Sequence, residues 1–469
     1  MKIAIIYGKG LDGCGVQRGG VEMTNWAVQN GHVCDSYFVD ERKFHRAKFH
    51  GDTADYIGMT PENFIDHASK INNDYDIVIL NSYPSIKHES HTIMSFYNNF
   101  VKKLDKPIIV GMMHEISKNN IDRIPILFLI LNWCDIVMNF STKTFFSTGF
   151  SKLFPSKVLG ERTRRFKLWT DISELQKTGD KYKSDKQKRL TYMGRWSTMK
   201  DPRRILDMTP HFRQKDPSFD TLIIGIEKSI GARVDILDHP LCEFYVYCVY
   251  PPKVLQDPTK TVTMGPYKYD QGMRIMAESM FGASFYRLLK DKNNYGDRME
   301  YTQIEMIGLG TIPVFDIDYG RNNFTDDGKS FNSIDSLAVW SDREDLGETV
   351  DTILDIAGNP VKQKQYQEAG LNFVRSEFDS SVVLPAMFDG ILKTGKDYNK
   401  FDSDLDVLYN VYNNKDLANY ANDILKDQPI PLGFSEIGLK TVNVFKSESS
   451  RARVSSEFKA PVLDLSAFF

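Results

Sequence analysis

No stretch of this 469-residue chain approaches the 18–20 consecutive apolar residues that a membrane-spanning helix needs, so no span across a bilayer is expected. The start, MKIAIIYGKG, carries one lysine and then a short β-branched run. It lacks the longer apolar core and small-residue cleavage site of a secretory leader, and residues 2–7 read instead as a buried strand. Cysteine is sparse: Cys14, Cys34, Cys134, Cys242 and Cys248 are odd in number, scattered, and form no C-x-x-C pair. That signals neither a disulfide framework nor a zinc knuckle and suits a reducing cytoplasm. Strong net charge is missing too, at −3 overall. The charge is unevenly spread, however. Residues 151–204 hold 16 Lys and Arg against 6 Asp and Glu, a basic band that is either a solvated linker or a polyanion-binding face.

What is present is an ordinary balance of 41% hydrophobic and 26% charged residues in a chain long enough for two domains and an extra segment. Apolar runs without strict alternation recur at 2–7, 32–39, 76–81, 107–113 and 135–140, separated by helical stretches. This is the pattern of strands buried on both faces of a parallel sheet, and it defines an α/β domain over 1–180. It restarts at 189–194, 220–225, 242–250, 283–289 and 311–317, giving a second α/β domain over 181–380. Residues 381–399 read as a helix that packs back on the first domain, and 400–469 as an extension whose Ser-, Lys- and Arg-rich part is expected to be disordered. Two doubly wound Rossmann-like domains place ligands at the carboxyl ends of their strands, in a cleft between them.

Strand 2–7 runs into Gly8-Lys9-Gly10-Leu11-Asp12-Gly13, a literal G-x-G-x-x-G, with Asp40 where a ribose-binding acid would lie. An NAD-dependent oxidoreductase is therefore one reading. The glycines continue through Gly15, Gly19 and Gly20, which implies a long open loop and a late helix start, suited to a diphosphate or an anionic acceptor. Glu22 then falls in the first turn of that helix, either as a cap or as a cleft residue. His114-Glu115 follows directly on the strand 107–113, where two groups with acid–base capacity meet the switch-point edge. In the second domain Gly194-Arg195 ends a strand and Lys200 follows five residues on. The two cations are placed to bracket a departing diphosphate. Glu300 to Phe315 reads as a helix carrying Glu305, closed by Gly308 and Gly310, then a strand. Asp297 lies two turns before Glu305, which can accept ribose hydroxyls, while Glu300 is either a ligand or a solvated helix residue. Asp316-Ile-Asp318 is a literal D-x-D at a strand end. It reads as strand-end polarity, with no metal site expected.

Taken together, these motifs resemble retaining GT-B glycosyltransferases that use nucleotide sugars. More narrowly, GLDGCGV with Glu22 and Trp26, the His114-Glu115 pair and MEYTQIEMIGLGTIPVF are similar to the T-even phage DNA α-glucosyltransferase family, over about residues 1–390. The resemblance implies a UDP-sugar donor, hydroxymethylated cytosine in DNA as acceptor, retention at the anomeric carbon, no cofactor beyond the donor, and no metal. It places Arg195 and Lys200 on the diphosphate, Glu305 on the ribose, His114 on the sugar and residue 115 near the acceptor. The family has Asp where this chain has Glu115, so glucose and a pentose such as arabinose both remain possible donors. Arg162, Arg164, Arg165 and Lys167 in the basic band would meet DNA phosphates in a salt-dependent way. A non-catalytic DNA-binding protein using that band alone is the third reading. The chain is expected to act as a monomer. Its end, Leu465-x-x-Phe468-Phe469, resembles the short peptides by which replication proteins dock on sliding clamps.

Overall fold

The computed structural model describes residues 1–8, 15–39, 56–84, 90–114, 124–139, 162–197, 200–248, 250, 259–286, 299–324, 336–396 and 403–413. Its strands are β1 Lys2–Tyr7, β2 Val33–Val39, β3 Tyr56–Met59, β4 Ile77–Ser82, β5 Ile108–Met113, β6 Ile136–Asn139, β7 Thr163–Arg165, β8 Gln187–Met193, β9 Asp220–Ile224, β10 Cys242–Tyr245, β11 Thr261–Met264, β12 Ser279–Ser284, β13 Ile312–Asp316 and β14 Val339–Ser341. They form two seven-stranded sheets, β3-β2-β1-β4-β5-β6-β7 and β10-β11-β9-β8-β12-β13-β14. Every pairing in both is parallel. The chain divides accordingly into one unit of residues 1–166 and 384 onward, and another of residues 167–383.

Continuous apolar runs produce these sheets because a parallel strand is covered on both faces. In β9 the alternation is visible residue by residue: Leu222 and Ile224 enter one apolar cluster and Ile223 the other, so opposite faces pack separate cores. In the first unit Ile3 to Ile6 and Ile77 to Leu80 are fully buried, and Phe64, Phe96 and Phe100 pack into the same unit's core. Sheet order reverses beside the first strand of each unit. The switch points therefore lie between β1 and β4, and between β8 and β12. The carboxyl ends of those four strands are where ligand chemistry is expected.

The unit boundary falls earlier than the sequence pattern implies. Helix Ile172–Lys181 belongs to the second unit: Leu175 packs at Gly308, and a Cβ on Gly179 would lie 2.4 Å from the Leu309 carbonyl oxygen. Helix Ser380–Thr394 crosses back, and from Leu384 it groups with the first unit, where Phe388 stacks on Trp26 at 5.1 Å. Helix Asp404–Asn413 also joins the first unit. Its Val407 and Val411 enter the core while Asp404 accepts from Tyr97 Oη and pairs with Lys102. Among the described residues no helix is long and apolar enough to cross a membrane.

Candidate active site

At the first switch point, β1 leads through Gly8 toward helix Gly15–Gln29. The helix starts earlier than the glycine spacing suggests. Gly15 is its exposed first residue, but Gly19 and Gly20 lie within it and are buried, so their amides fall beyond the open first turn. These two glycines do not form a phosphate-cradling loop. Gly20 has a packing role instead, since a Cβ there would come within 2.0 Å of Tyr7 Oη. Glu22 is likewise displaced from the first turn to the eighth helical position. It pairs with Arg18 at 3.5 Å, and both side chains are largely buried.

Beside this helix, His114 follows β5. Its Nε2 lies 2.8 Å from the carbonyl oxygen of Asn81, the fully buried fifth residue of β4, and 3.3 Å from that residue's Oδ1. A carbonyl only accepts, so Nε2 carries the proton, and the neutral ring has its lone pair on Nδ1. Phe166 meets the imidazole edge-on, and the Asn81 amide donates to Val16 O at 2.9 Å. His114, Asn81 and the start of the helix are thus fastened together. Glu115, Asp40, Asp297 and residues 9–14 lie outside the described residues.

At the second switch point, β8 ends and the chain turns toward Lys200, which forms an isolated bridge to Tyr286 just past β12. Lys200 Nζ stands over the Tyr286 ring, 4.4 Å from its centre, donates to Tyr286 Oη at 3.3 Å and pairs with Glu300. Burial raises the Tyr286 phenol well above its ordinary range, so it stays protonated. Glu300 immediately precedes helix Tyr301–Gly308, and its backbone N–H donates to Gln303 Oε1 at 2.8 Å. This fixes Glu300 at a helix entrance beside Lys200. Arg195 is exposed; its backbone carbonyl accepts from Tyr192 Oη at 3.3 Å. One paired lysine and one exposed arginine therefore stand at the carboxyl edge of β8.

Glu305 lies inside the same helix, 4% exposed, and accepts from Tyr269 Oη at 3.2 Å. Gly310 closes the turn with φ +71°, a left-handed conformation that favours glycine, and its N–H donates to Ile307 O. In the D-x-D, Asp316 ends β13 and its carboxylate is engaged by buried Arg204 at 2.6 Å, while the Asp318 N–H donates to its other oxygen. Among the described residues no group of three or more His, Cys, Asp or Glu is arranged to hold a metal ion.

The basic band is less available than its charge implies. Arg162 is buried and donates to Asn132 O at 2.8 Å, tying down the end of helix Ile124–Asn132, so it cannot serve as a DNA contact. Arg189 and Arg204 are buried as well. Lys186 donates to Ala277 O and Ser279 O. Lys167 pairs with Glu377, Arg164 is exposed on β7, and Arg165 closes that strand with its side chain outside what is described. Much of the excess positive charge is thus spent inside the fold. Sequence reading missed Asn81, Tyr269 and Tyr286. Only Asn81, closing an apolar run, had a local signal.

Two all-parallel doubly wound units, each with polar and charged groups at a switch point, make up the GT-B glycosyltransferase architecture. The model of the DNA α-glucosyltransferase family matches residues 14–360, and the chain belongs to that family. The DNA α-glucosyltransferase of Enterobacteria phage T4 is 28% identical over 409 residues, covering 84% of this chain and 100% of the phage protein. A solved α-glucosyltransferase in complex with UDP-glucose and DNA containing an abasic site superposes with a TM-score of 0.70 at 25% identity, covering 84% of this chain and 99% of that one. HepE of Anabaena, solved with UDP and glucose, shares the fold at a TM-score of 0.54 and 11% identity, over 84% of this chain and 99% of its own.

Proposed function

We propose that this glycosyltransferase moves a sugar from a UDP-sugar to the hydroxyl of 5-hydroxymethylcytosine, or a related hydroxylated cytosine, in DNA, with retention at the anomeric carbon. The observation that carries the reading is Lys200, held between Glu300 and Tyr286 at the β8–β12 switch point with Arg195 nearby in sequence. Glu300 keeps the ammonium in place before substrate arrives, and a diphosphate would compete for it. As UDP departs, Lys200 and Arg195 offset the negative charge that builds on its phosphate, the contribution that dominates many group transfers. Glu305 accepts the ribose hydroxyls. His114 and Glu115 serve the sugar and the acceptor, and Glu22 supports that side through Arg18.

No protein nucleophile is needed. The acceptor hydroxyl enters on the face that UDP leaves, its C–O bond forming as the sugar–phosphate bond breaks, and its proton passes to the departing phosphate. Positive charge comes from Lys and Arg, and Asp316 is engaged by Arg204, which supports a reaction without a divalent ion. The donated sugar is glucose or arabinose, and Glu115 in place of the family's Asp is the reason to include the pentose. Exposed Arg164 with Lys167 supports contact with DNA phosphates, expected to weaken steeply with salt. A dehydrogenase reading depends on residues 9–13 and Asp40, outside the described residues, and leaves Lys200, Glu300 and Glu305 without a role.

The test is thermal melting with each nucleotide. A ligand that binds only the folded state adds about 2.7 kcal/mol at a hundredfold excess over its Kd. UDP is expected to raise Tm by several degrees and NAD to leave it unchanged. A shift with NAD alone would overturn the reading.

The chain's last residues, Leu465, Phe468 and Phe469, also lie outside the described residues. Their L-x-x-F-F spacing supports docking on a sliding clamp, which would hold the enzyme beside newly made DNA. Deleting residues 463–469 is expected to abolish clamp pull-down while turnover on free DNA stays unchanged. Retained pull-down would remove this role.

A further inference from the structure

Resting on the reading of Lys200 as a diphosphate ligand, we propose that Asp201, Arg204, Asp316 and Arg343 form a positioning network that sets Lys200 at the height and angle the diphosphate requires. Among the described residues between β8 and the next helix, Arg203–Lys215, there is no regular element to hold a lysine. Beside its own bridge to Tyr286 and its N–H bond to Ser197 O, the lysine is anchored through the residue after it. The Asp201 N–H donates to Phe285 O at 3.0 Å, and its Oδ2 accepts from Arg343 Nη2 at 2.9 Å and from Arg204 Nε and Nη2 at 3.4 Å each.

The same two arginines converge on the backbone of the residue Lys200 touches. Tyr286 O accepts from Arg343 Nη2 at 2.9 Å and from Arg204 Nη2 at 3.2 Å. Arg204 also reaches Asp316 Oδ2 at 2.6 Å and lies over the Phe285 ring, 4.6 Å from its centre. Asp316 in turn is fixed by the Asp318 N–H at 2.9 Å. The loop carrying Lys200 and the ends of β12, β13 and β14 are thereby clasped by one set of ion pairs.

Two features argue for positioning rather than bulk stability. Arg204 is 2% exposed, and buried ion pairs commonly stabilise a fold no better than an apolar replacement, so stability alone does not account for the network. Its two carboxylates and two guanidiniums also cancel. The network adds no net charge to the site. Replacing one member would let Lys200 shift on the Tyr286 ring without altering the charge that UDP meets from Lys200 itself.

The experiment is a double-mutant cycle read by calorimetric affinity for UDP and for uridine, which lacks the diphosphate. Arg343→Gln is the first variant, because its side chain is 37% exposed and its loss spares the core; Asp316→Asn, which keeps its shape, is the second. Each is expected to weaken UDP binding about tenfold or more, as removal of a hydrogen-bonded charge partner commonly does. Uridine affinity should not change. In a Lys200→Met background the same substitutions should cost less than about twofold further, because their effect runs through the lysine. Multiplicative losses in that background, or equal losses for uridine and UDP, would overturn the network's role. Unchanged UDP affinity in Lys200→Met would remove the underlying assignment of Lys200, and the proposal with it.

Discussion

Lys200→Met is expected to lower kcat by about 10²–10³ while the protein keeps its melting cooperativity. One preorganised charge facing a developing anion is commonly worth about 3–4 kcal/mol. Methionine preserves most of the aliphatic stem and removes the ammonium that stands over the Tyr286 ring. Glu300 would lose its partner, but its side chain is 38% exposed and can turn to water, so stability should change little. Single-turnover rates at saturating donor would separate this from weakened binding. A variant with full kcat would show that the diphosphate is stabilised elsewhere.

Glu305→Gln is expected to act on recognition rather than rate. Glu305 sits within the helix that ends at Gly308 and accepts from Tyr269, so its carboxylate is oriented before substrate arrives. Charge-assisted hydrogen bonds to ribose hydroxyls are worth about 1.5–3 kcal/mol, so UDP affinity should fall by about 10- to 100-fold. The diagnostic comparison is 2′-deoxy-UDP. The unaltered protein should prefer UDP to the deoxy form, and the variant should lose most of that preference. A preference that survives the substitution would place the ribose contact on another residue.

Much of the architecture was legible because buried parallel strands write themselves as apolar runs. KIAIIY, DIVILN and PIIVGMM each mark a strand in the structure. The failures have physical causes. β11, TVTM, is half threonine and does not look buried, yet Thr261 bonds Thr209 and Thr221 side chain to side chain, which satisfies the Thr261 hydroxyl inside the fold. β12 begins at Ser279 rather than Ala283, because Gly282 looks like a strand breaker. In the fold it gives room to the sulfurs of Met276 and Met306, each 3.0 Å from where its Cβ would be. β7 and β14 are three residues each, too short to leave a pattern, and exist through pairing with β6 and β13.

The positions of Arg195, Lys200 and Glu305 at a strand end and on a helix were legible because glycines punctuate the sequence there. Tyr286 is 86 positions from the lysine it supports, and Tyr269 is 36 from Glu305. No local spacing encodes such contacts; sheet order does. The misplacement of Gly19, Gly20 and Glu22 has a different origin. Glycine in a sequence reads as a sign of loop, whereas Gly20 is needed inside a helix because Tyr7 leaves no room for a side chain. Arg162 shows the same limit for charge, since a run of basic residues does not say which of them face inward.

The most direct test of the account is transfer itself. The purified protein would be incubated with UDP-glucose or UDP-arabinose and with DNA containing either 5-hydroxymethylcytosine or unmodified cytosine, and the digested nucleosides weighed by mass spectrometry. The account predicts a gain of one hexose or one pentose on the hydroxymethylated nucleoside alone, with release of UDP. No sugar on that nucleoside from either donor, or equal transfer to unmodified DNA, would contradict it.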